Sequence, residues 1–439
     1  MKLWLIVPAT TEGIRKRRKA LIPPLGLAMV AALTPPDVEV CITDENVADI
    51  DFQNEADLVG ITTLTITAQR AYEIADIFMA KGVKVILGGV HASFLPEEAS
   101  QHADAVVIGE AEGVWPRVIE DFKANKLQKM YKQRERPGLA DLPLPRRDLF
   151  AKGAYYVKHT ISTTRGCPYS CAFCTVTSFF GHTYRCRPLE DVLKEIETLQ
   201  GRKLVVFVDD NIVGNPKFAK ELFRALIPYK IKWVAQASVT VARDDELLKL
   251  AAASGCISLF IGFESLSPAN LAAVGKKINA VDDYPNVIRK IHSYGIAIHG
   301  FFVFGFDEDD KDVFARTVSF ARKERLESAQ FDFLTPYPGT AFCDYLGKTG
   351  RIVTKDWSRY GYGPMFEPKS MSPEALKEGH DWAWKEFYSL PSIWQRLRVT
   401  RRHPWIFWVV NLFYRAHLRG KSRAKRGRLR SKFTGVASD

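Results

Sequence analysis

Cysteine is scarce in this sequence. Seven cysteines are spread over 439 residues, and three of them lie within eight positions, from Cys167 to Cys174. A disulfide framework needs paired cysteines throughout a short secreted chain, so this distribution excludes that class of protein. It predicts a chain that works in a reducing, cytoplasmic compartment and carries one metal or redox site.

Long hydrophobic runs are also missing. Residues 1–10 (MKLWLIVPAT) are apolar but contain no cleavage-site pattern, so we expect a first buried strand and not a signal peptide. The apolar run Trp405–Tyr414 has ten residues, whereas a helix that spans a bilayer needs about 20. This run therefore does not predict a membrane-spanning helix.

Basic residues flank the run Trp405–Tyr414. Aromatic and aliphatic residues with cations on both sides are typical of a helix that lies on a membrane surface, which we expect to be the inner face. A core helix with a solvated basic tail is the alternative. The flanking arginines are Arg401, Arg402, Arg415 and Arg419.

The charge is uneven along the chain. The formal net charge is +12, and arginine and lysine are densest in residues 396–432. Because the excess is confined to this end, we do not expect the protein as a whole to bind nucleic acid.

Short apolar runs alternate with helical periodicity in the first part of the chain. This alternation predicts an α/β fold with a parallel, doubly wound sheet over residues 1–125. Ligands bind such sheets at the carboxyl ends of the strands, where small residues let them approach the backbone. The predicted strands are Leu3–Val7, Val38–Thr43, Leu58–Thr62, Val83–Gly88 and Ala105–Gly109, with a helix over Ala68–Lys81. The candidate residues in the loops after them are Thr62, Thr63, Thr65, Gly88, Gly89, His91, Gly109 and Glu110.

A polar connector with three prolines interrupts the pattern, and we predict a linker over residues 126–150. A second series of six strands follows over 151–345 and predicts a partial (β/α)6 barrel with its chemistry at the carboxyl ends. Residues 346–439 are expected to form a helical extension with a basic amphipathic tail. The strands of the second series are predicted near His159–Thr164, Leu204–Asp209, Lys232–Ala237, Ser258–Gly262, Ala297–Phe304 and Ser328–Pro336.

The three clustered cysteines form a C-x3-C-x2-C motif directly after the first barrel strand. Cys167, Cys171 and Cys174 could hold three irons of a [4Fe–4S] cluster and leave the fourth iron open for a small ligand. A structural zinc site with Cys186 as the fourth ligand is the alternative, but zinc sites usually pair C-x2-C motifs. The spacing favours the cluster.

This motif, with Phe173 before its last cysteine, resembles the signature of the radical S-adenosylmethionine (radical SAM) superfamily. The resemblance implies that the open iron binds S-adenosylmethionine and that electron transfer from the cluster releases a 5′-deoxyadenosyl radical, which takes a hydrogen atom from the substrate. A reducing partner such as flavodoxin or ferredoxin is implied as well. Polar and small residues near the barrel strand ends would then contact the cosubstrate: Asp209, Asp210, Asn211, Gln236, Ser238, Glu264, His299 and Gly300.

A doubly wound domain before such a barrel is similar to the cobalamin-binding class of radical SAM enzymes. The segments Pro23–Leu27, Gly88–Ala92 and Gly109–Gly113 carry this resemblance. The D-x-H-x-x-G motif that supplies an axial histidine in other cobalamin proteins is absent. His91 could be a ligand or a solvated loop residue, and a vestigial domain without cobalamin is the alternative.

The leading hypothesis is cobalamin-dependent C-methylation of an unactivated carbon in a hydrophobic, lipid-like substrate. The first alternative is a radical enzyme that forms a C–C bond, closes a ring or rearranges its substrate without cobalamin. The second is a zinc-stabilised binding module that is not an enzyme.

Overall fold

A computed structural model describes residues 1–10, 19–133, 135–199, 201, 204–398, 400 and 403–433, and the backbone alone from residue 419 onward. The chain forms two compact units. Unit 1 comprises residues 1–236 and 335–366, and unit 2 comprises residues 237–334 and 367–439.

The first sheet of unit 1 has six parallel strands in the order β2-β1-β3-β4-β5-β6. All five strands predicted for this region are present. Side chains that alternate along β1 pack on opposite faces: Ile6 joins a cluster with Phe78, and Leu5 joins another with Trp115. Helices therefore cover both faces, as in doubly wound folds. The strands are β1 (Lys2–Val7), β2 (Glu39–Asp44), β3 (Leu58–Thr62), β4 (Lys84–Gly88), β5 (Ala105–Ile108) and β6 (Met130–Lys132).

The helices of this sheet follow its strands. The predicted helix over Ala68–Lys81 is present as Ala68–Ala80. Strand β6 lies in the segment 126–150 that the sequence predicts to be a linker, so the first sheet extends past residue 125. The helices are α1 (Leu25–Ala32), α2 (Ala68–Ala80), α3 (Val90–Phe94), α4 (Pro96–Ala99) and α5 (Trp115–Lys123).

The second strand series begins in unit 1. Strands β7, β10 and β11 are parallel, and β10 lies between the other two. The predicted strand His159–Thr164 is divided: β7 ends at Ile161, and β8 pairs with β9 in an antiparallel hairpin. These elements are β7 (His159–Ile161), β8 (Thr164–Arg165), α6 (Thr175–Phe180), β9 (Arg185–Cys186), α7 (Leu189–Thr198), β10 (Leu204–Phe207), α8 (Pro216–Leu226) and β11 (Lys232–Ala237), with α13 (Ala341–Lys348) from the later segment.

Unit 2 contains three parallel strands with β13 in the centre. Aromatic rings fill the space between strands and helices: Phe331 stacks on Phe302 and Phe304 with ring centroids 5.9 and 5.8 Å apart. On the opposite face of β13, Phe301 and Val303 stay half-buried. The elements are α9 (Asp245–Ala253), β12 (Cys256–Glu264), α10 (Pro268–Ala273), α11 (Tyr284–Ser293), β13 (Ala297–Phe304), α12 (Val313–Lys323) and β14 (Ser328–Phe333).

Three further helices of unit 2 form the end of the described chain: α14 (Pro373–Phe387), α15 (Leu390–Leu397) and α16 (Pro404–Phe433). Helix α14 begins where Ser372 caps the N–H of Ala375 at 3.1 Å. Its side chains donate to the outer edge of β14. Trp384 Nε1 donates to the Phe331 carbonyl at 2.8 Å, and Tyr388 Oη donates to the Ala329 carbonyl at 2.7 Å. This edge is thereby closed to further strands.

A buried arginine holds these helices to β14. Arg396 is fully buried, and its guanidinium donates to the carbonyls of Leu326 and Glu327 and to Asn411 Oδ1 at 2.8–2.9 Å. Burial lowers the pKa of Arg396 to about 10. A long cation with several carbonyl acceptors thus fixes α15 and α16.

Candidate active site

The three clustered cysteines lie on a loop between β8 and α6. Their side chains are half-buried thiols outside any disulfide. The loop starts at Gly166, whose φ is +88°, and a Cβ atom there would lie 2.2 Å from the carbonyl oxygen of Thr183. Only glycine fits this turn without displacing the backbone.

The residues after β10 form hydrogen bonds with the start of this loop. Asp209 Oδ1 accepts from the backbone N–H of Thr163 at 2.9 Å and from the Thr164 hydroxyl at 2.6 Å. Asp210 Oδ2 accepts from the Gly166 N–H at 3.3 Å. Asn211 Nδ2 lies 4.0 Å from Cys167 Sγ.

Asp209 was predicted to contact the cosubstrate, and its placement corrects that prediction. The carboxylate is 1% exposed and is used to fasten the start of the cysteine loop. Burial raises the pKa of both Asp209 and Asp210 to about 6. Asp210, which is only partly buried, remains next to the loop.

The three thiols are compatible with a [4Fe–4S] cluster. Among the described residues, no three His, Cys, Asp or Glu side chains converge on one metal position. A [4Fe–4S] cluster binds each thiolate to a different iron, so its ligands need not converge. Burial raises the pKa of Cys186, the fourth ligand of the zinc alternative, to about 11.

A cleft of about 340 Å³ opens at the carboxyl edge of the first sheet. Five of the predicted residues line it: Thr62, Gly88, Gly89, Gly109 and Glu110. Further apolar residues reach the cleft from the sheet and helices, and charged residues come from the barrel side of unit 1. Examples are Leu5, Leu25, Ile61, Ile86, Val107, Trp115, Phe179, Phe180, Arg165, Arg187 and Glu195.

Glycine backbone forms part of the cleft wall. Gly89 has a φ of +97°, and a Cβ atom there would lie 2.8 Å from backbone atoms of Thr63. Gly109 has a φ of +88°, and nothing lies within 4 Å of where its Cβ would be. Gly89 thus allows close packing against Thr63, and Gly109 presents bare backbone to a bulky ligand. This glycine-lined, largely apolar wall fits a cobalamin.

Three predicted cofactor residues do not line this cleft, and the structure corrects their assignment. His91 is 0% exposed, with Nδ1 3.2 Å from Thr65 Oγ1 and Nε2 3.2 Å from Glu98 Oε1. It is therefore not a solvated loop residue, and both of its ring nitrogens have protein partners. Thr63 is also buried, and its hydroxyl donates to the Gly88 carbonyl at 2.8 Å. Thr63 and Thr65 hold the loops together.

A partly buried ionic network, which the sequence did not predict, joins the cleft to the cysteine loop. Glu110 accepts from Arg165 Nη1 at 2.5 Å and from Arg185 Nη2 at 2.6 Å, and Glu112 also pairs with Arg165. Although burial opposes the charge, the carboxylates of Glu112 and Glu110 raise the pKa of Arg165. Arg165 directly precedes Gly166 of the cysteine motif. This position was the one sequence feature that could have marked Arg165 as part of the site.

A second buried group lies beside it. Glu195, at 1% exposure, accepts from Arg187 at 2.5 Å and also pairs with Arg147. Arg187 and Glu195 line the cleft. Arg187 precedes helix α7 and Glu195 lies within it. Nothing in this spacing predicts that the two side chains line the same cleft.

The remaining predicted residues lie further along the chain. In unit 1, Gln236 is exposed, and its carbonyl accepts from the N–H of Ile212 at 2.9 Å. In unit 2, Ser238 Oγ lies 2.6 Å from Thr240 Oγ1. Glu264 ends β12 with a φ of +64° after a bulge, and it is paired with Lys276. A left-handed backbone is rare for a glutamate and re-aims its side chain.

Two further predicted cofactor-binding residues, His299 and Gly300, lie on β13. His299 Nδ1 lies 2.8 Å from Ser328 Oγ, and burial lowers the pKa of the ring to about 4. His299 is the third residue of an eight-residue strand, far from the carboxyl end where chemistry was expected. A Cβ atom on Gly300 would lie 2.8 Å from Leu326 Cδ1 and 3.2 Å from Phe302 Cε2, so this glycine allows close packing.

Two protein families match the chain. Residues 161–320 match the Radical SAM superfamily, and residues 12–119 match the B12 binding domain.

The curated relatives include methyltransferases of similar length. Bacteriochlorophyllide d C-12(1)-methyltransferase of Chlorobaculum tepidum is 34% identical, covering 93% of this chain and 92% of the relative. The C-8(2)-methyltransferase of the same organism is 31% identical, covering 82% and 86%. The hopanoid C-2 methylase of Rhodopseudomonas palustris is 26% identical, covering 91% and 81%.

Solved structures share the fold. The cobalamin-dependent S-adenosylmethionine radical enzyme OxsB, with aqua-cobalamin and S-adenosylmethionine bound, is 14% identical with a TM-score of 0.69, covering 95% of this chain and 71% of that one. The radical S-adenosylmethionine methyltransferase TsrM from Kitasatospora setae, with cobalamin and a [4Fe–4S] cluster bound, is 18% identical with a TM-score of 0.65, covering 80% and 78%.

Proposed function

We propose that this chain, which belongs to the family of cobalamin-dependent radical SAM methyltransferases, methylates an unactivated carbon of a hydrophobic, lipid-like substrate. One observation carries the proposal. In unit 1, the loop with three half-buried thiols is connected through Arg165 and Glu110 to a glycine-lined cleft.

Each part of this site has a task. Cys167, Cys171 and Cys174 would hold three irons, and the glycines of the cleft would let a corrin approach the backbone. When bound, the cluster supplies the electron that generates the adenosyl radical, and cobalamin supplies the methyl group. The residues proposed to contact S-adenosylmethionine are Asp210, Asn211, Gln236, Ser238 and Glu264.

The protein's own contribution is positioning and exclusion of water. Asp209 fixes the two threonines that lead into the cysteine loop. The ionic network around Glu110 connects the cleft to Arg165, which precedes the cysteine loop, and to Arg185. We assign the cobalamin domain to residues 1–133, which contain all six strands of the first sheet, and the radical domain to residues 151–345.

The substrate class rests on two observations. The relatives named above act on bacteriochlorophyllide d and on a hopanoid. In unit 2, the strand face turned away from the helices carries half-buried apolar side chains, among them Phe260, Phe301 and Val303. Such a surface favours an apolar substrate. A flavodoxin or ferredoxin is the proposed electron donor.

The proposal includes peripheral association with a membrane surface. In the part of the chain that the structure describes, every helix is too short or too polar to cross a bilayer. One face of α16 packs through Phe407 and Asn411. The other face exposes an apolar stripe at helical spacing, with 44–67% of each residue in solvent: Trp405, Val409, Leu412 and Phe413. Such a stripe suits the membrane interface.

Only one of the four predicted flanking arginines, Arg415, has a described side chain. Arg401 and Arg402 lie outside the described residues, and the side chain of Arg419 is not described. Arg415 Nη1 donates to the Tyr388 carbonyl at 3.0 Å, so this arginine helps to fix the helix.

The test is methyl transfer by anaerobically reconstituted protein. Protein loaded with iron, sulfide and cobalamin, reduced and given S-adenosylmethionine with a deuterated methyl group, should transfer that methyl to a molecule in a lipid or pigment extract. Mass spectrometry detects the product, and chromatography measures 5′-deoxyadenosine.

Cys171→Ala should abolish formation of 5′-deoxyadenosine, because the cluster loses one of its three ligands. Cys41→Ala is the matched control, since Cys41 is a half-buried thiol on β2 of the same unit. Unchanged 5′-deoxyadenosine formation by Cys171→Ala, or a wild-type protein without iron, would overturn the proposal.

A further inference from the structure

A groove of about 530 Å³ lies on the surface of unit 2. It is formed by α12 and the residues that follow it, and by parts of α14 and α15. Basic side chains predominate among the described residues that line it: Arg322, Lys323, Arg325 and Arg398, with Trp382, Glu386, Gln395, Ser319, Val318 and Ala315.

The acidic residue of this groove is already paired. Arg322 Nη1 donates to Glu386 Oε1 at 2.8 Å, and Arg322 Nη2 donates to Gln395 Oε1 at 3.0 Å. Arg322 therefore braces α12 against α14 and α15 and balances the charge of Glu386. Lys323, Arg325 and Arg398 are exposed, so the groove keeps a positive charge.

The position of α12 explains only part of this charge. Cations near the last turn of a helix are favoured by its carbonyl groups, which accounts for Arg322 and Lys323. Arg398 comes from the end of α15, and its guanidinium lies 4.9 Å from the centre of the Trp394 ring. Two separate elements thus bring cations to one groove.

Exposed tryptophans lie at the groove. Trp382 lines it and is 44% exposed, and Trp394 is 57% exposed under Arg398. Tryptophan rings and basic side chains together are characteristic of the interfacial region of a bilayer. Residues 387–438 contain 13 lysines and arginines and no acidic residue. This whole end of the chain is suited to an anionic surface.

We propose that this groove binds the phosphate headgroup of an anionic phospholipid. The inference rests on the proposed peripheral membrane association and adds to it a headgroup site separate from the apolar stripe of α16. A nucleic acid is a poorer partner, because it would leave Val409 and Leu412 in water, whereas a bilayer buries them.

Binding to vesicles tests the site. Full-length protein with its cofactors is titrated with phosphatidylcholine vesicles with and without phosphatidylglycerol. Wild type should bind the anionic vesicles more tightly, and the double variant Lys323→Ala/Arg398→Ala should lose about fivefold in affinity for each cation removed. The control Lys249→Ala/Lys311→Ala removes the same charge from exposed positions of unit 2 outside the groove. Equal losses in both double variants would overturn the proposal.

A soluble ligand separates the headgroup site from the membrane. Calorimetry with dihexanoyl phosphatidylglycerol should show binding to wild type and to Trp405→Ser/Phe413→Ser, and no binding to Lys323→Ala/Arg398→Ala. Inorganic phosphate that competes as well as the short-chain lipid, or RNA that binds in place of vesicles, would overturn the lipid assignment.

These measurements are independent of catalysis. Loss of vesicle binding by Trp405→Ser/Phe413→Ser supports the role of α16, and its methyl transfer to a detergent-solubilised substrate reports on the proposed reaction alone. Headgroup binding without methyl transfer would leave the groove established and the reaction refuted. Methyl transfer without headgroup binding would refute the groove.

Discussion

Thr164 Oγ1 lies 2.6 Å from Asp209 Oδ1, and the backbone N–H of Thr164 donates to the same oxygen. Thr163 adds two further hydrogen bonds to Oδ1. Among the described residues, Asp209 Oδ2 is buried without any partner. The Oδ1 atom thus fixes the start of the cysteine loop. The Oδ2 atom is buried without a hydrogen bond, which disfavours the charged form of the carboxylate.

This asymmetry predicts a pH-dependent stability. Burial raises the pKa of folded Asp209 to about 6, against 3.8 for an exposed aspartate. Between these values the folded state binds more protons than the unfolded state, so stability falls as pH rises from about 4 to 6. Asp209→Asn keeps an oxygen acceptor and removes this titration, so its free energy of unfolding, measured by urea titration, should fall less across that window, by an amount on the order of 3 kcal/mol.

The comparison uses cofactor-free protein and the same urea series at each pH. Asp210 still titrates in both proteins because its pKa is also raised to about 6. Parallel pH profiles for wild type and Asp209→Asn would contradict this prediction.

Glu110→Gln should weaken both the fold and cobalamin retention. Two half-buried arginines, Arg165 and Arg185, share this buried carboxylate. Removing its charge leaves Arg165 with Glu112 alone and weakens the pairing of Arg185, at a cost of about 1–3 kcal/mol. We expect a lower melting temperature and less cobalamin per chain, measured by absorbance after gel filtration.

The control for that variant is Asp148→Asn, which breaks an exposed pair with Arg146. Exposed pairs contribute about 0–1 kcal/mol. A melting temperature and cobalamin content for Glu110→Gln equal to those of this control would show that the network does not support the cleft.

His91→Gln should leave the electronic structure of bound cobalamin unchanged. Both ring nitrogens of His91 face Thr65 and Glu98 inside the domain. The substitution should cost about 1–3 kcal/mol of stability by disturbing buried hydrogen bonds. The electron paramagnetic resonance spectrum of cob(II)alamin in the protein should be the same as in wild type; loss of a nitrogen splitting would identify His91 as a ligand after all.

Tyr388→Phe should destabilise the edge of β14. The Tyr388 hydroxyl donates to the Ala329 carbonyl at 2.7 Å and accepts from the Ala329 N–H at 3.2 Å. Its removal leaves two buried backbone groups unpaired, at a cost of about 1–3 kcal/mol. Urea unfolding measures the loss, and Tyr345→Phe, at a 43% exposed position, should have little effect.

Hydrophobic periodicity predicted the elements well because it reports directly on burial. The bounds of β11 and β13 agree with the predicted Lys232–Ala237 and Ala297–Phe304. The short edge strand β6 was missed because it has three residues and lies in a polar segment.

The candidate site was predicted less completely. Motif spacing located the three cysteines, and strand ends located Gly88, Gly89 and Gly109. Nothing in the local sequence distinguishes a histidine that faces a ligand from His91. The Nε2 atom of His91 instead faces the carboxylate of Glu98, seven residues later. The pairing of Glu110 with Arg185 spans 75 residues and depends on tertiary structure.

The covering of β14 also has a consequence for synthesis. Tyr388 follows Ala329 by 59 residues. At about 5–20 residues per second, the ribosome needs roughly 3–12 s to make the residue that protects this strand. During that interval the strand has emerged with a free hydrogen-bonding edge, so nascent chains stalled before residue 388 should be the ones that chaperones retain.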